Sequence, residues 1–226
     1  MKKFLLMSFI ILSACKSITY NDVNPDIKPN DNLLPALITV VDMNNLEAVY
    51  SSGGYQGIAN NYGTGYGANP WAGWAQTTVV NGSSYKDARV NDVINIFEKE
   101  VKENISSPYG EKKGYATLKL GYRGKDTSAL YILPSALSLF TINVLGFPAN
   151  EITQSLEVQV EIWNNKKELI AKYTENVVNS DFIAMYWGYN ETNIWRKVAA
   201  DNIKQALEKI RYKINEDALT IKKKLK

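Results

Sequence analysis

The sequence predicts an α+β fold: a mixed or antiparallel sheet with a long C-terminal helix packed on one face and a hydrophobic helical insert. Three observations support this prediction. Apolar and polar residues alternate over residues 152–162, as in a strand with one buried face. The C-terminal segment has an apolar stripe at helical spacing, and residues 127–150 form an uncharged, largely apolar stretch.

The strand over residues 152–162 leads into a second strand. Residues 164–166, Asn-Asn-Lys, are typical of a turn, and apolar residues alternate again from Leu169. We therefore expect an antiparallel hairpin with one face exposed to solvent, although Gln154 interrupts the apolar face. The other residues of that face are Ile152, Leu156, Val158, Val160 and Ile162.

Two longer helices are predicted from apolar residues spaced for one helical face. The first covers residues 87–104 with Asp87 as its cap, and the second begins near Asn190 to Asn193 and should pack on the sheet. The stripe of the first helix is Val90, Val93, Ile94, Phe97 and Val101. The stripe of the second is Trp195, Val198, Ala199, Ile203, Ala206, Leu207, Ile210 and Ile214.

Two further strands are expected nearer the N-terminus. Residues 36–41 form a short apolar and β-branched run, which favours a strand covered on both faces. Residues 115–123 alternate, with Ala116, Leu118 and Leu120 on the apolar face, so we expect a half-buried strand there.

The uncharged segment 127–150 is expected to be a helix buried within the fold. Pro134 suits the first turn of a helix, and residues 146–148, Gly-Phe-Pro, suit its stop. A helix from Pro134 to Leu145 would be about 18 Å long, well short of the roughly 30 Å hydrocarbon core of a bilayer.

Two alternatives for this segment stay open. Leu137, Phe140 and Val144 could form a face that meets a membrane or another copy of the chain. A transmembrane span is disfavoured, because Pro134 and several polar residues interrupt the segment and no basic cluster flanks it.

Glycine, asparagine and aromatic residues dominate residues 51–85 and show no regular period. We expect a long loop there, and a long loop within a domain is often functional. Tyr66, Trp71 and Trp74 could stack on a glycan or fill a partner's pocket. The interpretation that we favour is that these aromatic side chains fold back over the sheet.

The N-terminus has the pattern of an export signal. Lys2 and Lys3 precede an apolar run over residues 4–12, which is too short to span a bilayer. Residues 12–15, Leu-Ser-Ala-Cys, resemble the lipobox of bacterial lipoproteins. The resemblance implies that residues 1–14 are a signal peptide and that lipid is attached to Cys15.

Composition limits the function of the remaining 212 residues. The chain has no histidine, and Cys15 is its only cysteine, so the common histidine and thiol catalysts and almost all zinc sites are excluded. Without Lys2 and Lys3 the net charge falls to +1, which does not favour a nucleic-acid partner. We predict no catalytic residues, no metal and no cofactor.

Residues 15–33 are interpreted as a lipidated, flexible tether, followed by a single α+β domain over residues 34–226. An extended tether reaches roughly 50 Å from the lipid. Lys16 and Ser17 follow the cysteine without an acidic residue. By resemblance to known sorting signals, that favours an outer-membrane lipoprotein that faces the periplasm.

The folded part also resembles known envelope lipoproteins. The hairpin at residues 151–175 and the helix at 193–214 are similar to the small α/β domains of the curli-secretion lipoprotein, the penicillin-binding-protein activator lipoproteins and the amino-terminal domain of TolB. Residues 132–148 and 186–189 resemble uncharacterised Bacteroidetes lipoproteins. The resemblance implies a non-catalytic envelope protein that binds other proteins or assembles into an oligomer; the alternative is a glycan-binding lipoprotein that uses the aromatic loop.

Overall fold

Four strands form one sheet in the part of the chain that the structure describes. The structure is a computed structural model that describes residues 33–42, 46, 88–184 and 191–226. In sheet order, the strands are β1 (Leu37–Val41), β2 (Gly114–Ser128), β3 (Asn150–Asn164) and β4 (Leu169–Ile183). β1 is parallel to β2 and the other neighbours are antiparallel, so the sheet is mixed.

Two long helices complete the core. α1 (Ala88–Glu100) ends in a wider π-helical turn (Val101–Ile105), and α4 covers Glu191–Lys224. α1 and α4 pack against each other, and their apolar stripes share one core with the inward face of the sheet. The predicted α+β fold with a long C-terminal helix on one face of a mixed sheet is confirmed.

The hairpin of β3 and β4 and the helix α4 match the two strongest sequence patterns. The predicted apolar face of β3 and the predicted stripe of α4 are both buried. Gln154 is buried as well, and Asn202 Nδ2 donates to its backbone carbonyl at 3.1 Å and to its side-chain Oε1 at 3.4 Å. The amide of Asn202 thus supports the one polar position in the apolar face of the strand.

The strands extend further than the alternating pattern indicated. β2 continues to Ser128. β3 pairs with β4 from its first residue, Asn150, which lies opposite Ile183, the last residue of β4. The pairing of residues 124–128 with β3 follows a register shift at Tyr122 and Gly124. The sequence of these residues, Gly-Lys-Asp-Thr-Ser, has no apolar side chain and therefore gives no strand pattern, and the sheet is extended there by backbone pairing.

β1 pairs only with the start of β2, from Gly114 to Leu118. Its residues Leu37, Val40 and Val41 are buried, whereas Ile38 and Thr39 are half-buried. The predicted strand is therefore present, but it lies at the edge of the described sheet and its two faces are not equally covered.

A buried ion pair joins α1 to α4. Arg211 Nη1 lies 2.9 Å from Glu100 Oε1, and Asn104 Nδ2 donates a hydrogen bond of 2.7 Å to Glu100 Oε2. Burial raises the pKa of the Glu100 carboxyl, and the hydrogen bond from Asn104 and the charge of Arg211 oppose that rise. The π-helical turn places Asn104 beside the same carboxylate that Arg211 of α4 contacts.

The domain has two distinct ends, which we call the anchor end and the tip end. At the anchor end, Leu34 bridges to Ser106, Lys113 N–H donates to Ala36 carbonyl, and Leu225 lies next to Gly114. β2 runs from this end to the tip end. Fifteen residues of strand at about 3.3 Å each make the ends roughly 50 Å apart.

Candidate functional site: an exposed apolar tip

Residues 129–149, which we call the tip, connect β2 to β3 at the tip end of the sheet. They contain a 3₁₀ turn (Ala129–Tyr131) and two short helices, α2 (Ile132–Leu137) and α3 (Thr141–Val144). The predicted hydrophobic helical insert is therefore present between these strands, but in two short pieces.

The tip is exposed, so the prediction of a helix buried within the fold is wrong. The exposed fractions are 80% for Leu137, 57% for Phe140 and 62% for Val144. Of fourteen exposed large hydrophobic residues in the described chain, eight lie in the tip. Besides these three, they are Leu130, Ile132, Leu133, Leu139 and Leu145.

The backbone explains why one continuous helix does not form. Leu139 and Phe140 have φ values of 50° and 61°, so the chain turns through the left-handed region between α2 and α3. Neither residue is one that favours this conformation, and the sequence therefore gave no signal for the break. None of the helices in the described part of the chain combines the length and hydrophobicity needed to cross a bilayer.

The tip places polar groups inside and apolar side chains outside. Ser135 and Asn143 are buried. Ser135 Oγ donates to the Tyr131 carbonyl at 2.6 Å, and Asn143 Nδ2 donates to the Phe147 carbonyl at 3.1 Å. Of the buried side-chain nitrogen and oxygen atoms in the tip, only Asn143 Oδ1 has no hydrogen bond within the described structure.

The more exposed hydroxyl groups of the tip also bond to its own backbone. Ser138 Oγ donates to the Ser135 carbonyl at 3.0 Å, and Thr141 Oγ1 donates to the Ser138 carbonyl at 2.6 Å. The backbone turn is closed by the Phe140 N–H, which donates to the Ser135 carbonyl at 2.7 Å. Most polar groups of the tip are therefore satisfied without water.

Aromatic side chains hold the base of the tip against the sheet. The ring of Tyr131 packs edge-on against Phe147 at 5.8 Å and against Phe182 of β4 at 5.5 Å between centroids. The Ala149 N–H also donates to the Ile183 carbonyl at 2.7 Å. These contacts fix the tip to the end of the hairpin.

Charged residues begin at the level of this aromatic layer, where Glu151 is paired with Phe182. Residues 127–150 contain no charged side chain. Asp126 and Glu151 flank the segment, and Asp181 is paired with Lys197. The tip therefore offers no acid, base or charged ligand, and its chemistry is that of an apolar contact surface. Within the described residues there is no group of three or more side chains suited to a metal ion.

The other predicted site residues lie outside the described residues. They are Cys15, expected to carry lipid, and the three aromatic residues Tyr66, Trp71 and Trp74 of the predicted loop. The predicted signal peptide, almost all of the predicted tether and residues 185–190 are outside as well. Of the predicted site residues, the structure describes only Leu137, Phe140 and Val144, and all three are exposed in the tip.

The comparisons with known proteins provide no family. No protein-family model and no curated protein sequence matches this chain. Among solved structures, the chain is similar to a Xanthomonas campestris protein of the DUF330 family, with 11% sequence identity and a TM-score of 0.30. That match covers 87% of this chain and 94% of the other. At this TM-score the similarity supports no transfer of fold, site or activity.

Proposed function

We propose that this chain is a bacterial lipoprotein of the cell envelope, held by lipid on Cys15 in the outer membrane and facing the periplasm. Its folded domain acts without catalysis, by surface contact through the tip. The observation that carries this proposal is the concentration of eight exposed large apolar side chains within one short uncharged segment. A contiguous apolar surface of this kind marks a site of contact with a protein or a membrane.

The N-terminal sequence supports the lipid anchor. A short apolar run ends at Leu12, and two small residues, Ser13 and Ala14, precede Cys15. Small side chains before the cut suit a signal peptidase, and a thiol is the group that can carry a thioether-linked lipid. More than one acyl chain on the same residue would give stable attachment without a transmembrane helix.

The side-chain chemistry supports a non-catalytic role. The chain has no histidine, and its only cysteine is the one expected to be acylated. The buried acids of the described residues are Glu100, Asp92 and Glu161, which are paired with Arg211, Arg196 and Lys119. The first two pairs join α1 to α4, and the third joins β3 to β2.

Three occupants suit the tip: the bilayer that holds the anchor, another envelope protein, or a second copy of the chain. All three remove apolar side chains from water. The alternative of glycan binding depends on Tyr66, Trp71 and Trp74, and no described residue favours it.

Two measurements on the full-length chain test the proposal. Mass spectrometry of the mature protein should find acyl chains on Cys15, and Cys15→Ala should give an unlabelled and uncut precursor or a mislocalised protein. An unmodified Cys15 in the mature wild-type protein would exclude the anchor.

The contact surface is tested by the reaction of a thiol with a water-soluble maleimide in osmotically opened cells. Leu137→Cys in the tip should react more slowly than Leu219→Cys, an exposed leucine on α4, because an occupant covers the tip. The two thiols should react alike after denaturation. Equal reaction rates in the native cells would show that the tip is not the contact surface.

A further inference from the structure

We infer that the tip inserts into the interfacial region of the same bilayer that holds the lipid on Cys15, with the domain standing on its tip end. This inference rests on the proposed lipid anchor and names the occupant of the proposed contact surface. The described residues supply four arguments for a lipid occupant: the internal hydrogen bonding of the tip, the distribution of exposed apolar residues, the order of side chains toward the base, and the reach of the chain before Leu34.

The first argument is that, apart from Asn143 Oδ1, the internal hydrogen bonding of the described tip side chains suits surroundings without water. In a bilayer, a polar group without a partner inside the protein is costly, because lipid tails form no hydrogen bonds. Ser135, Ser138 and Thr141 each donate a hydroxyl hydrogen to a backbone carbonyl of the tip. A surface for a soluble protein partner has no need for this arrangement, since its rim keeps polar groups that bond to the partner or to water.

The second argument is the distribution of apolar residues. Leu137 and Leu139 are each about four-fifths exposed, so these side chains project from a narrow end of the domain. A second copy would have to cover them with an apolar surface of its own. The six other exposed large hydrophobic residues in the described part of the chain are spread over a loop, β4 and α4. Among the described residues, only the tip of a second copy has a similar density of apolar side chains. The crosslinking test at position 137 separates that contact from lipid, which adapts to a projecting apolar shape.

The third argument is the order of side chains from the tip toward the sheet. Exposed aliphatic residues form the tip, the rings of Tyr131, Phe147 and Phe182 lie at its base, and Glu151 is paired with Phe182 at that same level, with Asp126 further along the sheet. Tyrosine favours the boundary between lipid and water because its ring is apolar and its hydroxyl is polar. This order sets the depth of insertion at the level of Tyr131.

The charged residues near the tip predict how its insertion depends on salt and on anionic lipid. The inserted segment has no lysine or arginine, and the pair of Asp181 with Lys197 at its base is neutral. Insertion is therefore driven by apolar burial and not by attraction to anionic lipid headgroups. Added salt or a change in anionic lipid content should leave it unchanged.

The length of the chain before Leu34 also allows the lipid and the tip to lie in the same bilayer. Leu34 lies at the anchor end, roughly 50 Å from the tip along β2. Residues 16–33 supply eighteen residues between the expected lipid and Leu34, and eighteen extended residues span about 56 Å. The chain is thus long enough for Cys15 and the tip to occupy one bilayer. This arrangement requires a nearly fully extended chain between Cys15 and Leu34.

The experiment uses the full-length lipidated protein in vesicles of uncharged phosphatidylcholine. Leu137→Cys places a single free thiol in the tip, where an environment-sensitive fluorophore is attached; Val144→Cys repeats the measurement on α3. Leu219→Cys on α4 is the matched control. We expect a blue-shifted emission and loss of most of the fluorescence with nitroxide-labelled lipid at positions 137 and 144, little change at 219, and no effect of added salt.

Three outcomes would overturn the inference. The first is a fluorophore at 137 that stays in water. The second is shielding without quenching by labelled lipid, together with disulfide crosslinking between two copies at 137, which would identify a second copy as the occupant. The third is the absence of acyl chains on Cys15 by mass spectrometry. Only this third outcome also refutes the proposed anchor, so the two failures are distinguishable.

Discussion

Among single residues, Glu100 and Arg211 form the contact that the sequence was least able to show. They lie 111 positions apart and are both almost fully buried, at 2% and 4% exposure. Glu100 follows the apolar stripe of α1, and Arg211 comes directly after Ile210 on α4. A periodic pattern identifies which residues face a core, but it does not identify which charged residue meets which partner.

Removing one member of this pair should destabilise the domain strongly. We predict that Glu100→Leu lowers the free energy of unfolding by about 3–5 kcal/mol, because the buried Arg211 loses its close carboxylate partner and keeps only the more exposed Glu208 at 3.6 Å. The double variant Glu100→Leu with Arg211→Leu should recover most of that loss. Urea unfolding of the full-length chain in a Cys15→Ala background measures both values.

The exposed pair of Glu111 with Lys113 supplies the control for this cycle. Glu111→Leu removes a carboxylate from a solvent-exposed pair, so the urea midpoint should hardly change. If the double variant at 100 and 211 is no more stable than the single variant, the buried pair is not a coupled unit.

At the scale of elements, sequence reasoning succeeded where one face of an element is buried along its whole length. β3 and α4 have such faces, and the alternating and helical patterns located both. β4 was located as the second strand of the hairpin, although only Tyr173 and Val177 of it are buried. Their ends were less predictable. The strands continue through polar residues by backbone pairing, and α1 passes into a π-helical turn at Val101.

The tip shows the opposite case, in which hydrophobicity alone gave the wrong burial. Its polar residues were interpreted as interruptions of a buried helix, whereas Ser135 and Asn143 form its interior. Their donors bond to nearby carbonyls of the same segment, a local arrangement that the hydrophobic pattern does not encode. The polar residues within this uncharged apolar segment were the available sequence signal that its apolar side chains are not buried.

The position of the tip on the surface gives a direct prediction about stability. Leu137→Ala should change the free energy of unfolding by about 0.5 kcal/mol or less, since the side chain is mostly in water in both states. Leu156→Ala in β3 removes the same atoms from the core and should cost about 2–5 kcal/mol. Urea unfolding of both variants in a Cys15→Ala background compares them.

Similar losses for Leu137→Ala and Leu156→Ala would show that the tip is part of the core after all. A small loss of unfolding free energy for Leu137→Ala together with a large loss for Leu156→Ala would show that the Leu137 side chain is not needed for folding. Tip variants could then be used in membrane experiments without concern that the domain has unfolded.

For the whole molecule, the important arrangement is that the anchor end and the tip end are opposite. The sequence predicted the order of the elements but not this geometry, because the order does not say how far each strand extends. β2 and β3 each have fifteen residues, and α4 has 34 residues, which corresponds to about 51 Å of helix. Sheet and helix therefore have similar lengths and together separate the two ends.

The separation of the ends predicts the height of the domain above the bilayer. Leu219 lies near the end of α4, about 42 Å along the helix from Glu191. With the tip inserted and the domain upright, energy transfer from a fluorophore on Leu219→Cys to acceptors at the lipid surface should give a distance of about 40 Å. A domain with its anchor end on the membrane would give a much shorter distance.

Shortening the chain between Cys15 and Leu34 should change this height. Deleting residues 19–30 leaves six residues, which span about 19 Å when extended and no longer reach the anchor end of an upright domain. We predict that the shortened protein is still lipidated and folded, but either brings Leu219 closer to the lipid surface or withdraws the tip, so that quenching at 137 is lost. Replacing residues 19–30 by glycine and serine at the same length is the control and should preserve both signals, because reach depends on length. If the deletion leaves the height of Leu219 and the quenching at 137 unchanged, the tip and the lipid do not share one bilayer in the way proposed.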